Sequence, residues 1–199
     1  MTNKRRTATV ERVTKETQIK VSLDLDGSGQ VRADTGVGFL DHMLDHLGTH
    51  SLTDLTITAE GDLQVDDHHT VEDVGLCLGQ ALAKAMGDKT GIQRYGAASV
   101  PMDEALAEVS LDLSGRAAVI FNANFSGHKI GTFDVQLVEE FFRRLSSEAG
   151  LNLHVSVPRG SNDHHIAEAI FKAFARSLRQ AKAIDPGKRD QVPSTKGAL

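Results

Sequence analysis

DDHHTVEDVGLCL (66–78) recurs 96 residues later as NDHHIAEAIFKAF (162–174), and this repeat decides the fold. A second match, VSLDL at 21–25 and again at 109–113, precedes each copy in the same order. Two matches in one order predict a tandem duplication of a unit of roughly 90 residues. The predicted boundaries are residues 1–93 for the first unit, 94–187 for the second and 188–199 for a C-terminal tail.

Each unit predicts strands, a short helix, a further strand and a long amphipathic helix. Apolar and polar residues alternate in 19–25 and 109–113, as in half-buried strands, and the glycines at 27–29 and 114–115 indicate hairpin turns. The short helices are expected over Phe39–Leu47, ended by Gly48, and over Val135–Leu145, ended near Gly150. The long helices begin at the two His pairs and are expected to end at Gly87 and at Pro186-Gly187. The fold class is α+β, with helices packed on antiparallel-rich sheets.

The composition limits the classes of protein to which this chain could belong. The chain has 199 residues and a net charge of −5, so general nucleic-acid binding is not expected. No apolar run is long enough to cross a membrane, and Met1 to Glu16 lack the apolar core of a secretory signal. One cysteine, Cys77, excludes a disulfide framework, and we expect a cytoplasmic protein. Dinucleotide and Walker phosphate-binding motifs are absent from the sequence.

The two His-His-x-x-Glu motifs have the spacing of metal ligands. Adjacent residues on a helix point about 100° apart, so His68 and His69 diverge, while Glu72 lies within one turn of both. The same holds for His164, His165 and Glu168. We therefore expect two ions related by the duplication, each bound by one His from each pair. Histidine and carboxylate without thiolate suit Mn²⁺, Fe²⁺ or Zn²⁺.

Two further groups could complete such a site. A helix before the first pair carries His42 and His46, with His50 just beyond it; His42 could add a ligand, and its counterpart in the second unit falls at Glu139 or Glu140. The aspartates beside each His pair are expected to cap the helices or orient the imidazoles. Basic and hydroxyl groups that suit a phosphate are Arg94, Arg116, Lys172 and the tail residues Ser194, Thr195 and Lys196.

These motifs closely resemble those of the imidazoleglycerol-phosphate dehydratase family in its single-function form. The segments that carry the resemblance are GFLDHMLDHLGTH (38–50), DDHHTVEDVG (66–75), GIQRYG (91–96), VPMDEALAEVSLDLSGR (100–116), NDHHIAEAIFKAFARSLRQA (162–181) and PSTKG (193–197). The resemblance implies halves like domain 2 of ribosomal protein S5, two Mn²⁺ per active site, and a homo-oligomer of 24 copies with sites between subunits.

The resemblance also implies residue roles. The metal ligands it implies are His42, His68, His69, Glu72, His164, His165, Glu168 and, where many relatives carry His, Glu140. The substrate contacts it implies are Glu16, His42, His46, His50, His68, Glu72, Arg94, Arg116, His164, Lys172, Ser194, Thr195 and Lys196. The catalytic residues are expected to be Glu16, His46 and His50.

The expected reaction converts D-erythro-imidazole glycerol phosphate to imidazole-acetol phosphate and water, in histidine biosynthesis. An imidazolate held between two ions could expel the neighbouring hydroxyl through a diazafulvene-like species, and Glu16 would then move the proton. Two other classes remain open on the residues alone. A dinuclear metal phosphohydrolase would use the ions to activate water, and a metal-storage shell would carry out no chemistry.

Overall fold

The computed structural model describes residues 5–197, so Met1–Lys4 and the last two residues of the predicted tail lie outside the described residues. The first half contains β1 (Thr7–Val13), β2 (Thr17–Asp24), β3 (Val31–Asp34), α1 (Gly38–Ser51), β4 (Asp54–Gly61) and α2 (His68–Met86). The second contains β5 (Tyr95–Met102), β6 (Ala105–Asp112), β7 (Ala118–Asn122), β8 (Lys129–Ile130), β9 (Phe133–Asp134), α3 (Gln136–Ala149), β10 (Asn152–Arg159) and α4 (Asp163–Ala181).

Each half forms its own four-stranded sheet, and the two sheets have the same topology. The strand orders are β1-β2-β4-β3 and β5-β6-β10-β7, and the short pair β8-β9 stands apart. Most pairs are antiparallel, and the alternation of β2 buries Ile19, Val21 and Leu23. This confirms the α+β class and the duplicated architecture.

The predicted hairpins at 27–29 and 114–115 are wrong. The strand after each turn does not return beside the one before it: β3 pairs in parallel with β4, and β7 pairs in parallel with β10. The cause is a polar side chain at the start of the intervening strand. Asp54 Oδ1 accepts the backbone N–H groups of Ser28, Gly29 and Gln30 at 2.8–2.9 Å, which carries the connection across β4.

Asn152 occupies the corresponding place at the start of β10. Its Nδ2 donates to Ser114 Oγ at 3.2 Å and to the Arg116 carbonyl, so it fixes the second connection in the same manner. Glycines in a sequence indicate a turn but do not show which strand pairs after it. The local pattern alone therefore favours a hairpin.

The predicted helices are present, with changes at the C-terminal ends of two of them. Helix α1 continues through Gly48 to Ser51 and ends at Leu52 in a left-handed conformation, so His50 lies on the helix. A Cβ at Gly48 would lie 2.3 Å from Val31 Cγ2 of β3, so this glycine permits close packing and does not end the helix. Helix α4 likewise ends at Ala181, before the predicted stop at Pro186-Gly187, whereas Gly87 and Gly150 end α2 and α3 as expected.

The helices pair crosswise between the halves. Helix α1 of the first half packs on α4 of the second, and α3 of the second half packs on α2 of the first. The contact of α2 with α3 is close: a Cβ at Gly75 would lie 2.7 Å from the Phe141 carbonyl oxygen, and one at Gly79 would lie 2.6 Å from that of Leu145. One continuous apolar core includes residues of all four helices and both sheets. The crossed pairs therefore place residues of both halves side by side.

A buried lysine adds a polar link between the halves. Lys182, just after α4, donates from Nζ to the backbone carbonyls of Leu25 and Leu52 and to Thr53 Oγ1. Its own carbonyl accepts from Arg6 Nη1 at 2.7 Å. In residues 5–197 we find no helix with the length and apolar character needed to cross a membrane.

Candidate metal centre

The N-terminal turns of α4 face the middle of α1 and form one cluster of potential ligands, which we call the α1–α4 cluster: His42, His164 and Glu168. Donor atoms of these three side chains all lie within 4.8 Å of one another. Glu168 Oε2 is 3.3 Å from His42 Nε2 and 3.2 Å from His164 Nε2. Asn162 caps α4 by accepting the N–H groups of His164 and His165, so the first turn is fixed. The cluster joins α1 of the first half to α4 of the second.

Glu168 is the buried centre of the α1–α4 cluster. Its side chain is 6% exposed, and Lys172 Nζ donates to its Oε1 one turn further along α4. Burial alone would raise the pKa of Glu168, but Lys172, His46 and His42 together outweigh burial and lower that pKa to about 2. The carboxylate is therefore ionised at neutral pH, which is the form that binds a metal ion.

Two further histidines follow on the same face of α1. His46 Nε2 lies 3.3 Å from Glu168 Oε1, yet it is one of two buried side-chain polar atoms in residues 5–197 that make no hydrogen bond. Burial lowers the pKa of His46 to about 4, so its ring is uncharged at neutral pH. His50 stacks on His46 with ring centroids 5.7 Å apart, and burial lowers its pKa as well.

The second cluster, which we call the α2–α3 cluster, contains His68, Glu72 and Glu140. Their donor atoms also lie within 4.8 Å of one another. His68 Nε2 is 3.4 Å from Glu72 Oε2, and Asp66 caps α2 by accepting the His68 N–H at 2.8 Å. Arg144 contacts both carboxylates, with 2.6 Å to Glu72 Oε1 and 2.9 Å to Glu140 Oε1.

The expectation that each site takes one His from each pair stays a prediction. Within one chain, each cluster contains a member of only one pair. Each cluster has the first His of one pair, the Glu of the same helix, and a ligand from the short helix of the other half. The crossed packing of the helices is the physical reason, because it brings α1 to α4 and α3 to α2.

The second His of each pair lies outside both clusters, in keeping with the divergence of adjacent residues on a helix. The ring planes of His68 and His69 are inclined at 86° to each other, and those of His164 and His165 at 80°. His69 Nδ1 is 3.0 Å from Asp62 Oδ2, and this bond raises the pKa of His69. Asp62 therefore fixes the orientation of the His69 ring.

His165 is held in the same way by Glu104, in the turn between β5 and β6. Its Nδ1 is 2.7 Å from Glu104 Oε2, and the bond raises the pKa of His165. Glu104 Oε1 also accepts the N–H groups of Ser161 and Asn162, and these bonds together with that of His165 lower the pKa of Glu104 to about 2. Such carboxylate–imidazole pairs fix the tautomer and orientation of metal-binding histidines.

The expectation that the aspartates beside each His pair cap the helices or orient the imidazoles agrees with Asp66, which accepts the His68 N–H, but not with Asp163. Asp163, beside the second pair, accepts the N–H groups of Ser126 and Gly127 and holds that loop. Asp62 and Glu104 act on the imidazoles instead. A signal for Glu104 was present: it stands 88 residues after Glu16, the same spacing as VSLDL, and both follow β-strands that begin their sheets. Arg144 also went unnoticed, although it lies four residues after Glu140.

Glu16 lies in the turn between β1 and β2, the counterpart of the turn that carries Glu104. Its side chain is exposed, and its backbone N–H donates to Thr14 Oγ1 at 3.1 Å. Glu16 and Asp62 line one shallow surface depression of about 260 Å³, and the charge of Glu16 contributes to the raised pKa of His69. Glu16 is therefore near His69 and belongs to neither cluster.

The residues predicted to bind phosphate lie in two separate places. Lys172 is on α4 against Glu168, whereas Arg94 lies at the opposite end of that helix, where its N–H donates to the Ala181 carbonyl at 2.9 Å. Arg94 forms a two-point ion pair with Asp112 at 2.7 and 3.0 Å and donates from Nη1 to the Pro193 carbonyl at 2.9 Å. It thereby holds the tail that contains Ser194, Thr195 and Lys196.

Arg116 is at the same end as Arg94, just past the end of β6. The α4 backbone from His164 to Ala181 spans about 25 Å at 1.5 Å per residue. Arg94, Arg116 and the tail are thus separated from the α1–α4 cluster of their own chain by the length of a helix.

The donor set of both clusters fits a divalent first-row ion. Each offers imidazole and carboxylate groups in mutual reach, and His46 Nε2 is a buried donor or acceptor left without a partner. Imidazole and carboxylate without thiolate describe a borderline to hard site, and the open arrangement of three residues leaves positions for further ligands.

Comparison with known proteins decides the family. The family model for imidazoleglycerol-phosphate dehydratase matches residues 35–178 of this chain. The chain belongs to the imidazoleglycerol-phosphate dehydratase family. It is 58% identical to the imidazoleglycerol-phosphate dehydratase of Granulibacter bethesdensis over 98% of this chain and 99% of that protein. The dehydratase of Ruegeria sp. (strain TM1040) is 57% identical over 98% of this chain and all of the relative.

Solved dehydratase structures have the same architecture. The structure from Staphylococcus aureus, 44% identical, superposes with a TM-score of 0.82 over 90% of this chain and 99% of that one. The structure from Pyrococcus furiosus in complex with (S)-C348, 35% identical, has a TM-score of 0.82 over 96% and 100% of the two chains. As a member of the dehydratase family this chain is a hydro-lyase of histidine biosynthesis, and the family is metal-dependent.

Proposed function

We propose that the chain converts D-erythro-imidazole glycerol phosphate to imidazole-acetol phosphate and water with two Mn²⁺ ions per active site. The observation that carries this proposal is the pair of His and carboxylate clusters on crossed helices, each with donor atoms within 4.8 Å. His42, His164 and Glu168 would hold one ion and His68, Glu72 and Glu140 the other, and such ions would supply Lewis-acid polarisation of the substrate imidazole. Two clusters therefore match a substrate with two metal-binding nitrogens.

The remaining chemistry belongs to side chains near these clusters. Glu16 is an exposed carboxylate beside His69, and we assign to it the proton lost from the glycerol carbon. His46 is uncharged at neutral pH because burial lowers its pKa to about 4, so it adds no positive charge next to the α1–α4 cluster. His46 and His50 are placed to assist departure of the hydroxyl.

A complete site requires more than one copy of the chain. Lys172 is close to the α1–α4 cluster, but Arg94, Arg116 and the tail are about 25 Å away along α4, further than a small phosphorylated substrate can reach. His69 and His165 are also outside the clusters of their own chain, where the Nδ1 of each is held by a carboxylate, Asp62 or Glu104. We therefore propose a homo-oligomer, of 24 copies as the resemblance implies, in which a neighbour supplies the second His of a pair and the phosphate contacts.

The setting that we propose is the cytoplasm. The chain has one cysteine, Cys77, which is buried in α2, and burial raises the pKa of its thiol to about 11. A fold of this size with a single inert thiol depends on no disulfide.

The deciding experiment measures turnover of imidazole glycerol phosphate by Mn²⁺-loaded protein before and after stripping with a chelator. We expect imidazole-acetol phosphate to form, to disappear on stripping and to return when Mn²⁺ is restored. Inorganic phosphate is measured in the same samples. Phosphate release without the ketone would overturn the dehydration and favour a phosphohydrolase, and a folded, Mn²⁺-replete sample without either product would overturn both activities.

A further inference from the structure

We propose that the two metal sites of this chain are chemically unequal: the α1–α4 cluster is an imidazole-rich site that prefers Zn²⁺-like ions, and the α2–α3 cluster is a carboxylate-rich site that prefers Mn²⁺. This inference rests on the proposed function in one respect, the binding of an ion at each cluster. It concerns which ion each cluster selects, and its test measures metal and not turnover.

The duplication supplies an internal comparison of the two sites. Helices α1 and α3 are both 14 residues long and occupy equivalent places in the two halves. Aligned by their ends, His42 of α1 corresponds to Glu140 of α3, and His46 corresponds to Arg144. The other two members are equivalent by the repeat, since His68 and Glu72 match His164 and Glu168. The difference between the clusters is therefore confined to the residues that the short helices contribute.

The substitution changes the charge of the site as well as the ligand atom. The α1–α4 cluster has one carboxylate, Glu168, whose charge is balanced by the ammonium of Lys172. The α2–α3 cluster has two carboxylates, Glu72 and Glu140, and both are paired with the single guanidinium of Arg144. One formal negative charge thus remains in the α2–α3 cluster, and none remains in the other.

Ligand chemistry converts this difference into selectivity. Imidazole is a ligand suited to Zn²⁺ and its neighbours, whereas carboxylate oxygen suits harder ions such as Mn²⁺. Completion by a neighbouring copy preserves the difference, because both candidate additions, His69 and His165, are histidines. An oligomer would therefore contain equal numbers of two sites that exchange Mn²⁺ for Zn²⁺ with unequal ease.

The test is a displacement titration of the whole Mn²⁺-loaded protein. Bound Mn²⁺ is counted by metal analysis and followed by its electron paramagnetic resonance signal while Zn²⁺ is added. We expect half of the Mn²⁺ to leave first and the other half to leave at a Zn²⁺ concentration roughly tenfold higher. Glu140→His makes the second cluster match the first, so displacement should become a single phase at the lower concentration.

Glu139→His is the matched control, because it introduces the same imidazole one residue away, where Glu139 pairs with Arg143 outside both clusters. This variant should retain two phases. If Glu140→His fails to assemble, His42→Glu makes the first cluster match the second and should merge the phases at the higher concentration. A single phase in the wild-type protein, or equal behaviour of the Glu139 and Glu140 variants, overturns the inequality. Fewer than two Mn²⁺ bound per chain would instead overturn the two-ion reading of the proposed function.

Discussion

Glu168 shows how much a single residue depends on tertiary contacts. Its spacing from His164 was visible in the sequence and predicted the pair that they form on α4. Its contact with His42 depends on the packing of α1 against α4, which no local pattern reveals. The same limit applies to Asp62 and Glu104, whose bonds to His69 and His165 join residues from separate loops and helices. The proximity of side chains on one helix was therefore predictable from the sequence, whereas the contacts between helices were not.

Removal of the Glu16 carboxylate should separate chemistry from metal binding. We expect Glu16→Gln to lower kcat by about 10²–10⁴-fold, the usual worth of a positioned general base, while the Mn²⁺ content is unchanged. Glu11→Gln is the matched control, because Glu11 is exposed on the neighbouring strand and pairs only with Lys20. Metal analysis and turnover are measured on the same preparations. Loss of Mn²⁺ in the Glu16 variant would contradict a purely catalytic role.

His46 should make the metal-free protein sensitive to mild acid. Its pKa is about 4 in the folded chain and about 6.5 when unfolded, so between these values only the unfolded chain binds the proton. Stability is therefore lost as the pH falls from 6.5 towards 4, by about 3 kcal/mol in total. We expect the free energy of unfolding of the wild-type protein to fall by this amount relative to His46→Gln.

Urea unfolding of chelator-treated protein at fixed concentration, at several values of pH across this range, measures the difference. His154→Gln, which removes an exposed imidazole from β10, is the control and should follow the wild type. Parallel pH profiles for the wild type and the His46 variant would show that the buried ring does not resist protonation.

At the scale of the elements, periodicity predicted the helices well and the strand connections poorly. The buried faces of α2 and α4 agree with the predicted amphipathic character of the long helices, and Val74, Leu78 and Phe174 are buried there. The partners of β3 and β7 depend on Asp54 and Asn152, which are distant in sequence from the turns that they organise. A local sequence pattern does not predict hydrogen bonds between residues that are so far apart along the chain.

The close contact of α2 with α3 should make Gly79 sensitive to a single methyl group. In an open helix, replacing glycine by alanine is stabilising by roughly 0.5–1 kcal/mol. Here the new Cβ would lie 2.6 Å from the Leu145 carbonyl oxygen, so the helices must separate. We expect Gly79→Ala to lower the free energy of unfolding by about 1–3 kcal/mol.

Because α3 carries Glu140, the same variant should retain less metal at the α2–α3 cluster. Chemical denaturation and metal analysis test the two effects. Gly38→Ala at the start of α1 is the control, since a Cβ there meets nothing within 4 Å, and it should cost no stability. Unchanged stability of the Gly79 variant would mean that the helices separate without loss of packing.

At the scale of the whole molecule, the α1–α4 cluster and the Arg94–Arg116 end lie at opposite ends of α4. If neighbours combine these ends, two defective variants should complement each other. We expect His164→Ala and Arg116→Ala to be inactive alone, and an equal mixture refolded together to regain about one quarter of wild-type activity, because a random assembly pairs intact ends in that fraction of sites.

A mixture of His164→Ala with Glu168→Gln provides the control, because both changes damage the same end, and it should stay inactive. Activity is measured after size-exclusion chromatography has confirmed that each mixture has assembled. Continued inactivity of the first mixture, with assembly intact, would place both ends of a site in one copy.

The crossed helix pairs have an evolutionary consequence. A lone ancestral unit would have carried a short helix and a long helix that do not pack on each other, so its metal ligands could have met only between two separate molecules. Fusion in tandem converted that encounter into an intramolecular one with a high effective concentration. It also released the two short helices from the need to be identical. His42 and Glu140 would then descend from one ancestral position, whose residue was free to change separately in each half.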